Sequence, residues 1–153
     1  MKTAPVGASG RARHNCRGNP HVDGAVLCQH ERVARTIVVV DDHDDFRTHA
    51  AEMLATGGYE VVGSCPDGRS ALSAIAALRP DVVLLDVQLP DLDGFAVIEQ
   101  VNRAGDGTAP IVVLTSTREA ADYGGRVAQS GAAGFISKEE LSARALDALV
   151  GAR

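Results

Sequence analysis

Apolar runs of strand length that alternate with helix-patterned segments constrain this chain more than any other feature. Thr-Ile-Val-Val-Val (36–40) runs into Asp41-Asp42, Val-Val-Leu-Leu (82–85) into Asp86, and Ile-Val-Val-Leu (111–114) into Thr115-Ser116. Shorter strand-like runs cover 59–65 and 133–137, the second ending just before Lys138. Consecutive β-branched residues suit a strand covered on both faces, as in parallel sheets. Between the runs, residues 46–55 place Phe46, Ala50, Met53 and Leu54 near one helical face, with Gly57-Gly58 as a stop. Asp44 or Asp45 is expected to cap that helix. Further helices are predicted over 69–78, closed by Arg79-Pro80, and over 94–102, 119–129 and 138–150. The 119–129 segment is weakened by Gly124-Gly125, each costing ~1 kcal/mol relative to Ala.

Strand and helix patterns thus alternate through residues 36–151. The predicted fold is α/β: a doubly wound, five-stranded parallel sheet with the βα unit repeated five times. Ligands of such sheets bind beyond the carboxyl ends of the strands, near the switch in strand order. That rule gathers Asp41, Asp42, Asp86, Thr115 and Lys138 along one edge.

Clustered carboxylates need compensation. Two of them ~4 Å apart repel by roughly 4 kcal/mol at an effective dielectric of 20. A hard divalent cation with oxygen ligands relieves this, and Mg²⁺ suits best because it takes few carboxylates, keeps waters and binds phosphate oxygens. One carboxylate then remains exposed enough to accept a phosphoryl group. Lys138 and Thr115 are placed to stabilise charge on that group. Lys138 is one of only two Lys among fifteen basic residues, which suits a site needing a compact ammonium rather than a planar fork.

The stretches Val-Val-Asp-Asp-His-Asp-Asp-Phe-Arg, Leu-Leu-Asp-Val-Gln-Leu-Pro-Asp-Leu-Asp-Gly, Val-Leu-Thr-Ser and Gly-Ala-Ala-Gly-Phe-Ile-Ser-Lys resemble the receiver domain of bacterial two-component response regulators. The resemblance covers 36 to about 150 and implies a flavodoxin-like fold. It implies that Asp86 is phosphorylated, and that Asp41, Asp42, Asp86 and the backbone carbonyl of Gln88 hold Mg²⁺. It also implies that Thr115 senses the phosphoryl group, that Lys138 pairs with it, and that Phe135 is the aromatic switch residue. Phe135 has an alternative role as plain core. Ser116 is expected to be a small loop residue, and Thr117 sits where the family tunes dephosphorylation. Glu139 follows Lys138 where proline is common, as in regulators with a helix-turn-helix output.

The implied function is that of a phosphoacceptor module, not an enzyme, which takes a phosphoryl group from a sensor histidine kinase and signals to a downstream protein target. The alternative is a phosphorylation-independent interaction domain with the same fold. An aspartyl phosphatase would carry a general acid two residues after the nucleophile, where Gln88 stands. With the chain ending at Arg153, a stand-alone receiver is expected, and self-association as a homodimer stays open.

Charge bears on the partners. Residues 36–153 carry nine Lys/Arg against eighteen acids, so direct DNA binding is not expected of this body. Residues 1–35 carry six against two and have no periodicity, so they are expected to be a disordered basic extension, with one weak helical turn over 22–33. The spacing of His14, Cys16, His21, Cys28 and His30 matches no zinc finger. Three Cys at irregular spacing do not make a disulfide framework, and no run reaches the ~18–20 residues of a membrane span, so a cytoplasmic protein is expected.

Overall fold

The computed structural model describes residues 34–104 and 109–151. Residues 1–33 of the expected basic extension, with its helical turn and its His/Cys positions, lie outside the described residues, while the Arg35 carbonyl at its end accepts from Glu60 N at 2.9 Å. Five strands, β1 (Thr36–Val40), β2 (Glu60–Cys65), β3 (Val82–Asp86), β4 (Ile111–Ser116) and β5 (Gly134–Ser137), form one parallel sheet in the order β2-β1-β3-β4-β5. The helices are α1 (Asp44–Thr56), α2 (Gly68–Leu78), α3 (Gly94–Ala104), α4 (Arg126–Gln129) and α5 (Ala143–Val150). The fold expectation holds.

The continuous apolar runs have the reason expected of them. Alternate side chains of one strand enter two separate cores. Ile37, Val39, Val82 and Leu84 pack with Ala50, Leu54, Leu146 and Val150 of α1 and α5. Val38, Val40, Val83 and Leu85 pack with Ala71, Ile75, Val97 and Ile98 of α2 and α3. Each of these β1 and β3 residues is fully buried, which contributes about 1.5–3 kcal/mol per side chain.

Three local expectations change. No aspartate caps α1. His43 precedes it in extended conformation without a capping side-chain bond, and Asp44 and Asp45 lie in the first turn, where the helix dipole favours them. The segment 119–129 is a 3₁₀ turn (Ala120–Tyr123) followed by the short α4, because Gly124 adopts φ 60° and breaks the path. The last helix also starts later. Lys138–Glu140 form a 3₁₀ turn, Leu141 is extended, and Ser142 caps α5 by accepting from Ala145 N at 3.0 Å. Arg79 closes α2 in the left-handed conformation, φ 48°, ahead of Pro80.

Candidate functional site

The strand order reverses between β1 and β3, since β1 connects outward to β2 and the chain then returns to the far side of β1. The cleft beyond this switch point is where a doubly wound sheet binds ligands. Asp41 follows β1, Asp86 ends β3, Thr115 pairs in register with Asp86 across β4, and Lys138 follows β5.

Lys138 brings two of these carboxylates together. Its ammonium donates to Asp86 Oδ2 at 3.3 Å and forms an ion pair with Asp41 Oδ2 at 2.6 Å. It also sits 4.6 Å from the centroid of the Phe46 ring, a cation–π contact. Burial pulls the Lys138 pKa down, but the two carboxylates outweigh it and hold the amine above its usual value.

Asp41 and Asp86 lie in similar surroundings and titrate in opposite directions. Burial would raise the Asp41 pKa. Lys138 and the His43 N–H, which donates to Asp41 Oδ1 at 2.8 Å, outweigh burial and hold it low. Asp86 accepts from Gln88 N at 3.0 Å and from Lys138, yet burial and the neighbouring Asp41 charge push it up to about 6. Asp86 is only 3% exposed. The solvent-facing carboxylate belongs to Asp42, at 38%. The expectation of an exposed nucleophile therefore does not describe Asp86.

Asp42 joins the cluster through His43, whose Nδ1 lies 3.0 Å from Asp42 Oδ1 and 3.1 Å from Asp41 Oδ1. Thr115 is fully buried, and its Oγ1 has no hydrogen-bond partner among the described residues. Ser116 departs from expectation: it is the buried last residue of β4, not a loop residue, and its Oγ shares a 2.8 Å hydrogen bond with Tyr123 Oη. Phe135 is half-buried, with its ring 6.0 Å from that of Tyr123, which in turn lies 5.8 Å from Phe95. Phe135 packs against the α2/α3 core, so core packing and the aromatic chain coexist.

Sequence pattern assigns no site role to His43, Phe46, Arg47 or Tyr123. Arg47 donates to the Asp41 carbonyl at 2.6 Å, to Ser64 Oγ at 2.9 Å and to Asp44, tying the ends of β1 and β2 to the start of α1. The three-residue spacing of Asp44 and Arg47 was a legible signal for part of this. Nothing in the sequence marked Tyr123 as a partner of Ser116.

Three carboxylates and one ammonium leave two negative charges uncompensated, which one divalent ion matches. Ligand atoms of Asp41, Asp42 and His43 lie within 4.8 Å of one another, and the carboxylate oxygens of Asp41, Asp42 and Asp86 are hard donors of the kind Mg²⁺ takes. Among the described residues, no helix is long and apolar enough to cross a membrane.

A family model for the response regulator receiver domain matches residues 37–150. The chain is 38% identical over 104 residues to the protein-glutamate methylesterase/protein-glutamine glutaminase of Geobacillus kaustophilus, covering 67% of this chain and 29% of that protein. It is 35% identical over 106 residues to the transcriptional regulatory protein PdtaR of Mycobacterium tuberculosis, covering 69% of this chain and 50% of the relative. The chain thus spans half or less of the length of these curated relatives. Among solved structures, the signal receiver domain of the response regulator NarL from Mycobacterium tuberculosis superposes with a TM-score of 0.71 at 33% identity, covering 78% of this chain and 98% of that one. The response regulator domain of Thermotoga maritima CheB reaches 0.68 at 23% identity over 78% and 96%, which speaks to the fold alone.

Proposed function

The chain belongs to the response regulator receiver domain family, and on that premise we propose that it accepts a phosphoryl group on Asp86 from a sensor histidine kinase and passes the signal to a protein partner. The observation that carries this reading is the buried Thr115 hydroxyl of β4, without a partner among the described residues and paired in register with Asp86 of β3. A buried unsatisfied hydroxyl costs about 1–3 kcal/mol, so its retention suits a group that finds its acceptor in another state.

The residues divide the work by position. Asp41, Asp42, Asp86 and the Gln88 carbonyl would hold Mg²⁺, which supplies charge neutralisation for the phosphoryl oxygens. An Asp86 carboxylate oxygen bonds to phosphorus as the phosphohistidine N–P bond breaks, and the imidazole leaves with the electron pair. Lys138, already bonded to Asp86, pairs with a phosphoryl oxygen. Thr115 Oγ1 donates to another. Movement of Thr115 draws on β4, where Ser116 holds Tyr123 and Tyr123 contacts the Phe135 ring. That linkage carries the change to the surface around α4 and β5, and a cytoplasmic setting follows from partnership with such kinases.

Incubation with acetyl phosphate and Mg²⁺ tests the reading. Mass spectrometry should show a gain of ~80 Da, abolished in Asp86→Asn, since phosphoryl transfer to a carboxylate requires that residue. An unmodified parent protein would overturn it.

A further inference from the structure

Asp91 lies in the β3–α3 loop, three residues past Gln88 and far from α2 in sequence. Its carboxylate nevertheless accepts three backbone N–H groups. Oδ1 takes Gly68 N at 2.8 Å and Leu92 N at 2.8 Å, and Oδ2 takes Arg69 N at 2.9 Å. The first two residues of α2 are thereby tied to the loop. These bonds, led by that from Gly68, hold the Asp91 carboxyl below its usual range.

The fit is close as well as polar. A Cβ on Gly68 would lie 2.9 Å from Leu92 Cβ and 3.2 Å from Asp91 Oδ1, so the loop rests directly on the helix backbone. At its far end the loop is closed by Gly94 N donating to Val87 O at 2.7 Å. A Cβ on Gly94 would lie 2.8 Å from the Asp86 carbonyl oxygen. Between these ends, Gln88 N donates to Asp86 Oδ1 at 3.0 Å on the β3 side, and the hydrogen bonds of Asp91 tie the loop to α2. The α2 N-terminus has its own cap, since Asp67 Oδ1 accepts from Ser70 N at 2.8 Å. Asp91 is thus not needed to start the helix.

We propose that Asp91 is a positioning residue for the metal site: by clamping the β3–α3 loop to the first turn of α2, it fixes the peptide that presents the Gln88 carbonyl. This rests on the reading of Gln88 as a Mg²⁺ ligand given above. Without the clamp the carbonyl samples more orientations, and binding must restrict it. Partners that orient a ligand typically affect metal affinity tenfold or more.

The experiment titrates MgCl₂ into the full chain by isothermal calorimetry, with melting temperature measured alongside, for the parent, Asp91→Ala, Asp91→Asn and Asp67→Ala. Asp67→Ala is the control, because it removes a bond at the same helix end without touching the loop. The expected result is a Kd raised about tenfold in Asp91→Ala, a smaller rise in Asp91→Asn, and no change in Asp67→Ala even if its melting temperature falls. Asp91→Asn keeps an amide oxygen in place, so it tests the clamp if the alanine variant does not fold. Parent-like Mg²⁺ affinity in both Asp91 variants overturns the proposal, as does equal weakening in Asp67→Ala. A parent protein that binds no Mg²⁺ overturns the metal-site reading itself, a separate outcome.

Discussion

Asp86 and Thr115 stand opposite each other in register across β3 and β4, the carboxylate bonded by Gln88 N and Lys138, the hydroxyl by nothing among the described residues. Both are buried. The pair combines an acid raised in pKa by its surroundings with a donor waiting for an acceptor. Each half has a measurable consequence.

Thr115→Val keeps the side-chain shape and removes the unpartnered hydroxyl. The unphosphorylated protein should gain about 1 kcal/mol in urea unfolding, because the variant no longer buries an unsatisfied polar group. The same variant should still accept phosphoryl groups from acetyl phosphate but lose the accompanying change in amide chemical shifts at α4 and β5. A loss of stability in Thr115→Val would show that the hydroxyl is satisfied in solution.

Asp86 titrates near 6 in the fold, against an ordinary carboxylate value of 3.8. A pKa raised by folding contributes stability in full below the unfolded value, and that contribution is lost as pH rises through the folded one. Asp86→Asn should therefore be more stable than the parent by about 1–3 kcal/mol at pH 7–8 in chelator, with the advantage vanishing towards pH 4. Mg²⁺ should narrow the gap by stabilising the ionised parent. Urea midpoints measured across this pH range decide it, and an advantage independent of pH would count against a raised Asp86 pKa.

Lys138 stands between two buried carboxylates, 2.6 Å from one and 3.3 Å from the other. Lys138→Met fills similar space and leaves those charges unneutralised. Removing one partner of a buried ionic group costs about 3–5 kcal/mol. The loss should shrink when millimolar Mg²⁺ is added, since a divalent cation replaces part of the missing charge. Thermal unfolding with and without the metal would reveal it. A deficit of the same size in both conditions would mean that the metal does not reach these carboxylates.

The alternation of strands with helices and the residues at the strand ends were readable from local pattern. Consecutive β-branched residues in β1 and β3 imply burial on both faces, and a parallel sheet places every strand's carboxyl end on one edge. That alone brought Asp41, Asp86, Thr115 and Lys138 to one cleft. Helix ends were harder to place. The glycine pair at Gly124-Gly125 was visible, but its complete break of the segment depends on the backbone path taken there. Ser142 as the cap of α5 was an available signal that the longer predicted helix obscured.

The tertiary structure decided which neighbours these groups would have. Lys138 against Phe46, Arg47 against the Asp41 carbonyl, Ser116 against Tyr123 and Asp91 against the start of α2 join different elements of the fold. Periodicity reports the face on which a side chain lies. It carries no information about which chain segment lies across from that face, or at what distance. The same limit governs the carboxylates. Their identity and edge were written in the pattern, but the opposite pKa shifts of Asp41 and Asp86 arise from angstrom-scale differences in how burial, Lys138 and backbone N–H groups reach each one. Coulomb energy and desolvation vary steeply over such distances, so only the folded arrangement sets them.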